Sequence, residues 1–185
     1  MISKEKTKMA LEKMYAMFPD AVGELEHQTP FQLLIAVILS AQATDVSVNK
    51  VTPHLFAAYP NAEQLANAPL ETITEYIRTI GLYRNKAKNI KRCAQQIMEE
   101  FDGNVPETRE ELMRLAGVGR KTANVVLGDA FNTPAIAVDT HVERVSKRLR
   151  ICKLDASVSE VEETLMRKVP KEDWVKMHHT MIFFG

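Results

Sequence analysis

Apolar positions recur at helical spacing along almost the whole of this chain. Between residues 4 and 18, Leu11, Met14, Tyr15 and Phe18 fall on one face, and Pro19-Asp20 closes the run. Thr29-Pro30-Phe31-Gln32 combines a capping box with Pro at the first helical position. The Phe31–Ala41 run that follows is apolar on every side, which predicts a central helix enclosed by others. Further helices are predicted over Asp45–Phe56, after Asn61, and from Pro69 to Ile80 with Gly81 as C-cap. Residues 84–101 form a basic amphipathic helix with Ala87, Ile90, Ala94 and Ile97 facing inward, stopped by Asp102-Gly103. A capping box at Thr108-Arg109-Glu110-Glu111 opens the next, and Arg120–Phe131 follows a Gly-Val-Gly turn. Thr140-His141-Val142-Glu143 reads as another capping box, and residues 159–169 and 172–184 complete the series. Only Ala135–Val138, after Pro134, reads as extended. The expectation is an all-α protein of roughly ten short helices.

Composition narrows the function classes. At 185 residues, 45% hydrophobic and 26% charged, the chain fits a globular domain or two small lobes with a sizeable core. No apolar run is long enough to span a membrane, and the N-terminus carries no signal-peptide pattern, so a cytoplasmic location without a membrane partner is expected. Cys93 and Cys152 are too few for a disulfide framework or a metal-binding cysteine set. Net charge is zero, which disfavours a protein that coats nucleic acid but leaves room for a local basic face. Such a face is offered by the helix carrying Arg84, Lys86, Lys88, Lys91 and Arg92, although a solvated surface is the ordinary reading of such a run.

The stretch Leu115-Ala116-Gly117-Val118-Gly119-Arg120-Lys121-Thr122-Ala123 is the most telling in the chain. It sets a glycine hairpin at the mouth of a helix, where unpartnered N–H groups and the helix dipole favour an anion. Arg120 and Lys121 put cations there instead, and local rule-breaking of this kind is expected at functional sites. It is not a P-loop, because Arg120 stands where the second Gly of that motif belongs. Nor is it a dinucleotide fingerprint, since Thr122 replaces the third Gly. The hairpin reads as a site for a DNA phosphate and Lys121 as a nucleophile; the bland alternative is a tight turn with a solvated lysine. An amine attacks only when deprotonated; the helix dipole, Arg120 and partial burial disfavour its charge, a nearby phosphate favours it, and the sequence gives the sign of each effect and not their sum. Asp139 precedes a helix start, where capping alone would justify it. Thr140 and Glu143 can supply that cap, which would free the carboxylate for a cleft. His141 is more ordinarily structural, and the His178-His179 pair lacks a metal-ligand pattern. Leu82, at the Ile80-Gly81-Leu82-Tyr83 turn beside the basic helix, could wedge between bases, and Gln42 could reach into a duplex.

Four blocks, Leu33–Lys50, Thr79–Tyr83, Gly117–Leu127 and Ala135–His141, make the chain resemble the helix-hairpin-helix DNA glycosylase superfamily and, within it, the bacterial endonuclease III family. The resemblance runs from about Pro30 to Gly185 and implies a two-lobed, all-α fold. A six-helix barrel lobe would cover 22–133, with the helix-hairpin-helix motif at about 108–131. A second lobe would join 1–21 to 134–185. It further implies a base-excision repair enzyme that removes oxidised pyrimidines from damaged double-stranded DNA and cleaves the abasic site through a lysine Schiff base. Lys121 matches the Schiff-base lysine, Asp139 the catalytic carboxylate, and Gln42 and Leu82 the residues that enter the duplex. DNA contacts are expected from Arg84, Lys91, Gly117, Val118, Gly119, Arg120, Thr122 and His141. A monomer, associated with the nucleoid through DNA, is expected. The alternatives are a hairpin DNA-binding module without turnover, or a relative with another base preference.

Two departures accompany the resemblance. Ala116 stands where the family usually carries Pro, a change expected to loosen the entry of the turn. The family also implies a [4Fe-4S] cluster held by four cysteines beyond the position of Gly185, so no metal ligand is expected in this chain. The apolar ending Met181-Ile182-Phe183-Phe184-Gly185 adds to the expectation that the chain is cut before that loop.

Overall fold

The computed structural model describes residues 1–185. It is all-helical: α1 (Lys4–Met17), α2 (Pro30–Ser40), α3 (Asp45–Ala58), α4 (Ala62–Asn67), α5 (Leu70–Tyr76), α6 (Tyr83–Glu100), α7 (Arg109–Leu112), α8 (Arg120–Phe131), α9 (Thr140–Arg148), α10 (Val158–Lys168) and α11 (Trp174–Phe184), with a 3₁₀ turn at Lys171–Asp173. No helix is long and apolar enough to cross a membrane. The chain divides into two compact units, one continuous (Glu24–Phe131) and one assembled from Met1–Gly23 and Asn132–Gly185.

The continuous unit is organised around α2. Thr29 Oγ1 accepts the Gln32 N–H, and Pro30 occupies the first turn, so the helix begins where the sequence predicts. Every residue from Phe31 to Leu39 is buried. Helices α3, α6 and α8 pack around it, which is what an apolar circumference requires. Helix α4 lies along α6, whose inward residues are Ala87, Ile90, Cys93, Ala94 and Ile97, joined by Lys86.

Two boundaries differ from expectation. Helix α5 stops at Tyr76, because Ile77 and Ile80 both bury through a tight turn closed by an Ile80 N–H to Ile77 carbonyl bond of 2.9 Å. The left-handed residue after that turn is Leu82 (φ 59°) and not Gly81. Helix α7 is a single turn: Arg114 and Leu115 donate to carbonyls three residues back, tightening the chain into the hairpin.

The second unit buries Leu11, Met14, Val142, Val145, Val161, Leu165, Trp174 and Met177 in one core. Its N-terminal strap is tied down by backbone. Ile2 N–H donates to Arg150 at 2.7 Å, and Lys168 Nζ donates to the carbonyls of Ile2 (2.7 Å) and Ile151 (2.8 Å).

Candidate active site

The hairpin joining α7 to α8 is fixed from below. The Val118 N–H donates to the Leu115 carbonyl at 3.2 Å, and the Val118 side chain is buried. Gly117 sits at φ +80°, and a Cβ there would lie 3.0 Å from Ile38 Cγ2 and 3.2 Å from Asn89 Cβ. It is glycine for two reasons, a left-handed backbone and close approach to α2 and α6. Gly119 has neither reason, since its φ is not left-handed and an added Cβ would meet nothing within 4 Å. Arg109 Nε donates to Asn124 Oδ1 at 2.7 Å and braces α7 against α8.

Gln96 of α6 is a residue that sequence reasoning missed. Its Oε1 accepts the Ala116 N–H at 2.8 Å and its Nε2 donates to the Arg114 carbonyl at 3.1 Å. The loosening expected of Ala116 is therefore opposed by a bond that ties the turn to α6. A proline at that position would have no N–H to give. Only the pairing of residue 96 with residue 116 could have signalled this.

Helix α8 opens at Gly119, whose carbonyl accepts the Ala123 N–H at 3.0 Å and which has no side chain to cap the helix. Arg120 and Lys121 in its first turn are exposed and Thr122 is half-buried. Lys121 is thus more open than the partial burial expected of it. Of the hairpin residues expected at DNA, Gly117, Gly119, Arg120 and Lys121 are exposed, whereas Val118 faces inward with its N–H already used.

In the second unit, Ala135, Ile136 and Ala137 are buried and deliver Asp139 to the start of α9. Here the capping expectation fails. The N-cap is Asp139, whose Oδ1 accepts the Val142 N–H at 2.8 Å, while Thr140 is already the first helical residue. Glu143 turns the other way and pairs with Lys147 at 2.7 Å. Its other carboxylate oxygen, Oδ2, lies 3.6 Å from His141 Nδ1, and the Asp139 side chain is only 10% exposed. Behind the connector, buried His178 places Nδ1 2.9 Å from the Ala137 carbonyl and meets the His179 ring at 4.9 Å. The pair packs as structure.

Gln42 and Leu82 are both exposed and left-handed, at φ 55° and 59°, a state they share with Asp102, Asn132 and Arg150. Non-glycine residues adopt that backbone at a cost, and such outliers cluster at functional sites. Arg84 is exposed, with its guanidinium 5.0 Å from the centre of the Tyr83 ring. Lys91, expected beside it at phosphate, is otherwise occupied. Its Nζ donates to the carbonyls of Ala66 (3.1 Å) and Ala68, capping the C-terminal end of α4.

Known proteins supply the context for this geometry. Residues 35–171 match the HhH-GPD superfamily of base excision DNA repair proteins. Endonuclease III of Bacillus subtilis is 57% identical over 185 residues, covering 100% of this chain and 84% of its own length. Endonuclease III of Escherichia coli is 45% identical, covering 100% and 87%. A solved covalent endonuclease III–DNA intermediate superposes with a TM-score of 0.97 at 57% identity, covering 100% of this chain and 87% of that one. A thymine-DNA glycosylase structure, 23% identical with a TM-score of 0.85, shares the fold. The chain belongs to the HhH-GPD superfamily and, within it, to the endonuclease III family.

The cluster that this family implies does not fit the residues here. Cys93 and Cys152 are both buried, one in each unit, and no three His, Cys, Asp or Glu side chains are grouped to hold a metal. Burial pushes the Cys93 thiol up to about 12 and raises Cys152 as well, away from the thiolate a metal needs.

Proposed function

We propose that the chain is a bifunctional glycosylase and abasic-site lyase acting as a monomer on oxidised pyrimidines in duplex DNA, in the cytoplasm at the nucleoid. The observation that carries the proposal is that Gly119, at the start of α8, is glycine without any internal steric need. A backbone left bare toward solvent suits close approach by a phosphate, and Lys121 follows two residues later. Gly117 and Gly119 would present the hairpin to phosphate, with Arg120, Thr122, Arg84 and His141 adding contacts. Gln42 and Leu82 would enter the duplex as the damaged nucleotide leaves the stack.

Neutral Lys121 Nζ then attacks C1′, and the bond from C1′ to the base breaks with its electron pair leaving on the base. The Asp139 carboxylate takes up the lysine proton and stabilises the positive charge growing on the sugar. Ring opening gives the Schiff base, which acidifies C2′. Loss of a C2′ proton expels the 3′ phosphate by breaking the C3′–O bond. Hydrolysis returns the lysine.

Borohydride reduction tests the central step. Wild type should form a covalent adduct with abasic-site DNA, and Lys121→Ala should bind the same DNA without forming one. Undiminished trapping by the variant would remove Lys121 from the chemistry. Binding by wild type without trapping or base release would instead define a hairpin DNA-binding module.

A further inference from the structure

Lys86 is a buried ammonium that no step above uses, on a helix where Arg84, Lys88 and Arg92 are exposed. Its Nζ donates to the carbonyls of Leu39 at 2.9 Å and Ala41 at 2.6 Å, where α2 runs out. The neighbouring carbonyls already have donors: Ser40 Oγ on Val37 (2.7 Å), Ala41 N–H on Ile38 (3.4 Å) and Ala43 N–H on Ser40 (3.0 Å). Lys86 therefore supplies what the end of α2 otherwise lacks. The Ala41 carbonyl belongs to the peptide linking Ala41 to Gln42, so the ammonium grips the backbone that sets Gln42 at φ 55°. The same residue's N–H makes the first i to i−4 bond of α6, at 3.0 Å to the carbonyl of its N-cap Leu82, at φ 59°. One side chain and its own amide thus bond to the backbone of the Gln42 and Leu82 turns, two of the five exposed left-handed non-glycine positions in the chain. Such conformations persist where their surroundings over-determine them.

We propose that Lys86 is a positioning residue for lesion recognition, fixing the Gln42 and Leu82 turns relative to one another so that both side chains enter one duplex together. The inference rests on the reading above that these two residues insert.

The readout is lesion preference, the ratio of affinities for a duplex holding a tetrahydrofuran abasic-site analogue and for the undamaged duplex. It is measured for Lys86→Met, Gln42→Ala and the double variant, each checked for folding by circular dichroism. Lys86→Met should lower the preference about tenfold, and the loss should largely vanish when Gln42 is already Ala, because the effect passes through Gln42. A purely structural role would give the same loss in both backgrounds, and that outcome, or an unaltered preference, overturns the proposal. If Lys86→Met does not fold, Lys86→Arg takes its place in the cycle. It keeps the charge but puts a planar fork where one nitrogen met two carbonyls, and the same two outcomes decide. If Gln42→Ala and Leu82→Ala both leave the preference intact, the insertion reading itself falls, separately from the part played by Lys86.

Discussion

The starts of α8 and α9 are built oppositely, though both carry a residue proposed for chemistry. Helix α9 is closed: Asp139 caps it, one carboxylate oxygen is committed to Val142 N–H, and the side chain is nearly buried. Helix α8 is open, since Gly119 offers no cap and Arg120 and Lys121 stand exposed. A closed end holds its acid in one orientation at no extra cost in ordering. An open end keeps its cations at the surface, where the chemistry proposed above needs the lysine. The same local motif, a helix N-terminus, serves precision in one place and access in the other.

The contrast breaks most sharply at Asp139. Asparagine caps a helix about as well as aspartate, so Asp139→Asn should unfold at nearly the wild-type temperature. It lacks the charge, however, and base excision should fall at least roughly a hundredfold in single-turnover assays. Near-normal excision would leave Asp139 as a cap alone.

Within the hairpin, two glycines separate structure from access. Gly117→Ala forces a left-handed alanine against Ile38 and Asn89 and should cost roughly 1–3 kcal/mol in urea unfolding. Gly119→Ala meets nothing in the protein and should unfold within about 0.5 kcal/mol of wild type while binding DNA more weakly. Equal stability losses at both positions would erase the distinction.

The smallest effect sharpens the basic face. Arg84→Ala should reduce the slope of log affinity against log salt by about one, the mark of one phosphate contact. Lys91→Met should leave that slope alone and lower stability instead, because its ammonium is already spent on Ala66 and Ala68.

These cases show what the sequence made legible. The enclosed helix α2 was plain from its apolar circumference, and the helix series from its caps and spacing. What stayed hidden were long-range partners of the backbone. Lys86, Lys91 and Lys168 look like surface charges in any linear pattern, yet each donates to a pair of carbonyls elsewhere in its unit. Gln96 is likewise anonymous until it meets Ala116. Local chemistry also misled in two places. Thr140-x-x-Glu143 is a sound capping pattern, but Asp139 precedes it and caps first. Gly81 is the natural left-handed residue of its turn, but burial of Ile77 and Ile80 shifts that conformation to Leu82.

The discontinuous unit has a consequence for synthesis on the ribosome. Helix α1 packs against α10 and α11, and Ile2 is anchored by Arg150 and Lys168, all encoded beyond the whole of Glu24–Phe131. At about 5–20 residues per second, the first helix therefore emerges several seconds before any of its packing partners exist. The continuous unit can close during that interval, while α1 waits as an unattached amphipathic segment. Vectorial growth thus orders assembly, with the lysine-bearing half completed first and the aspartate-bearing half last.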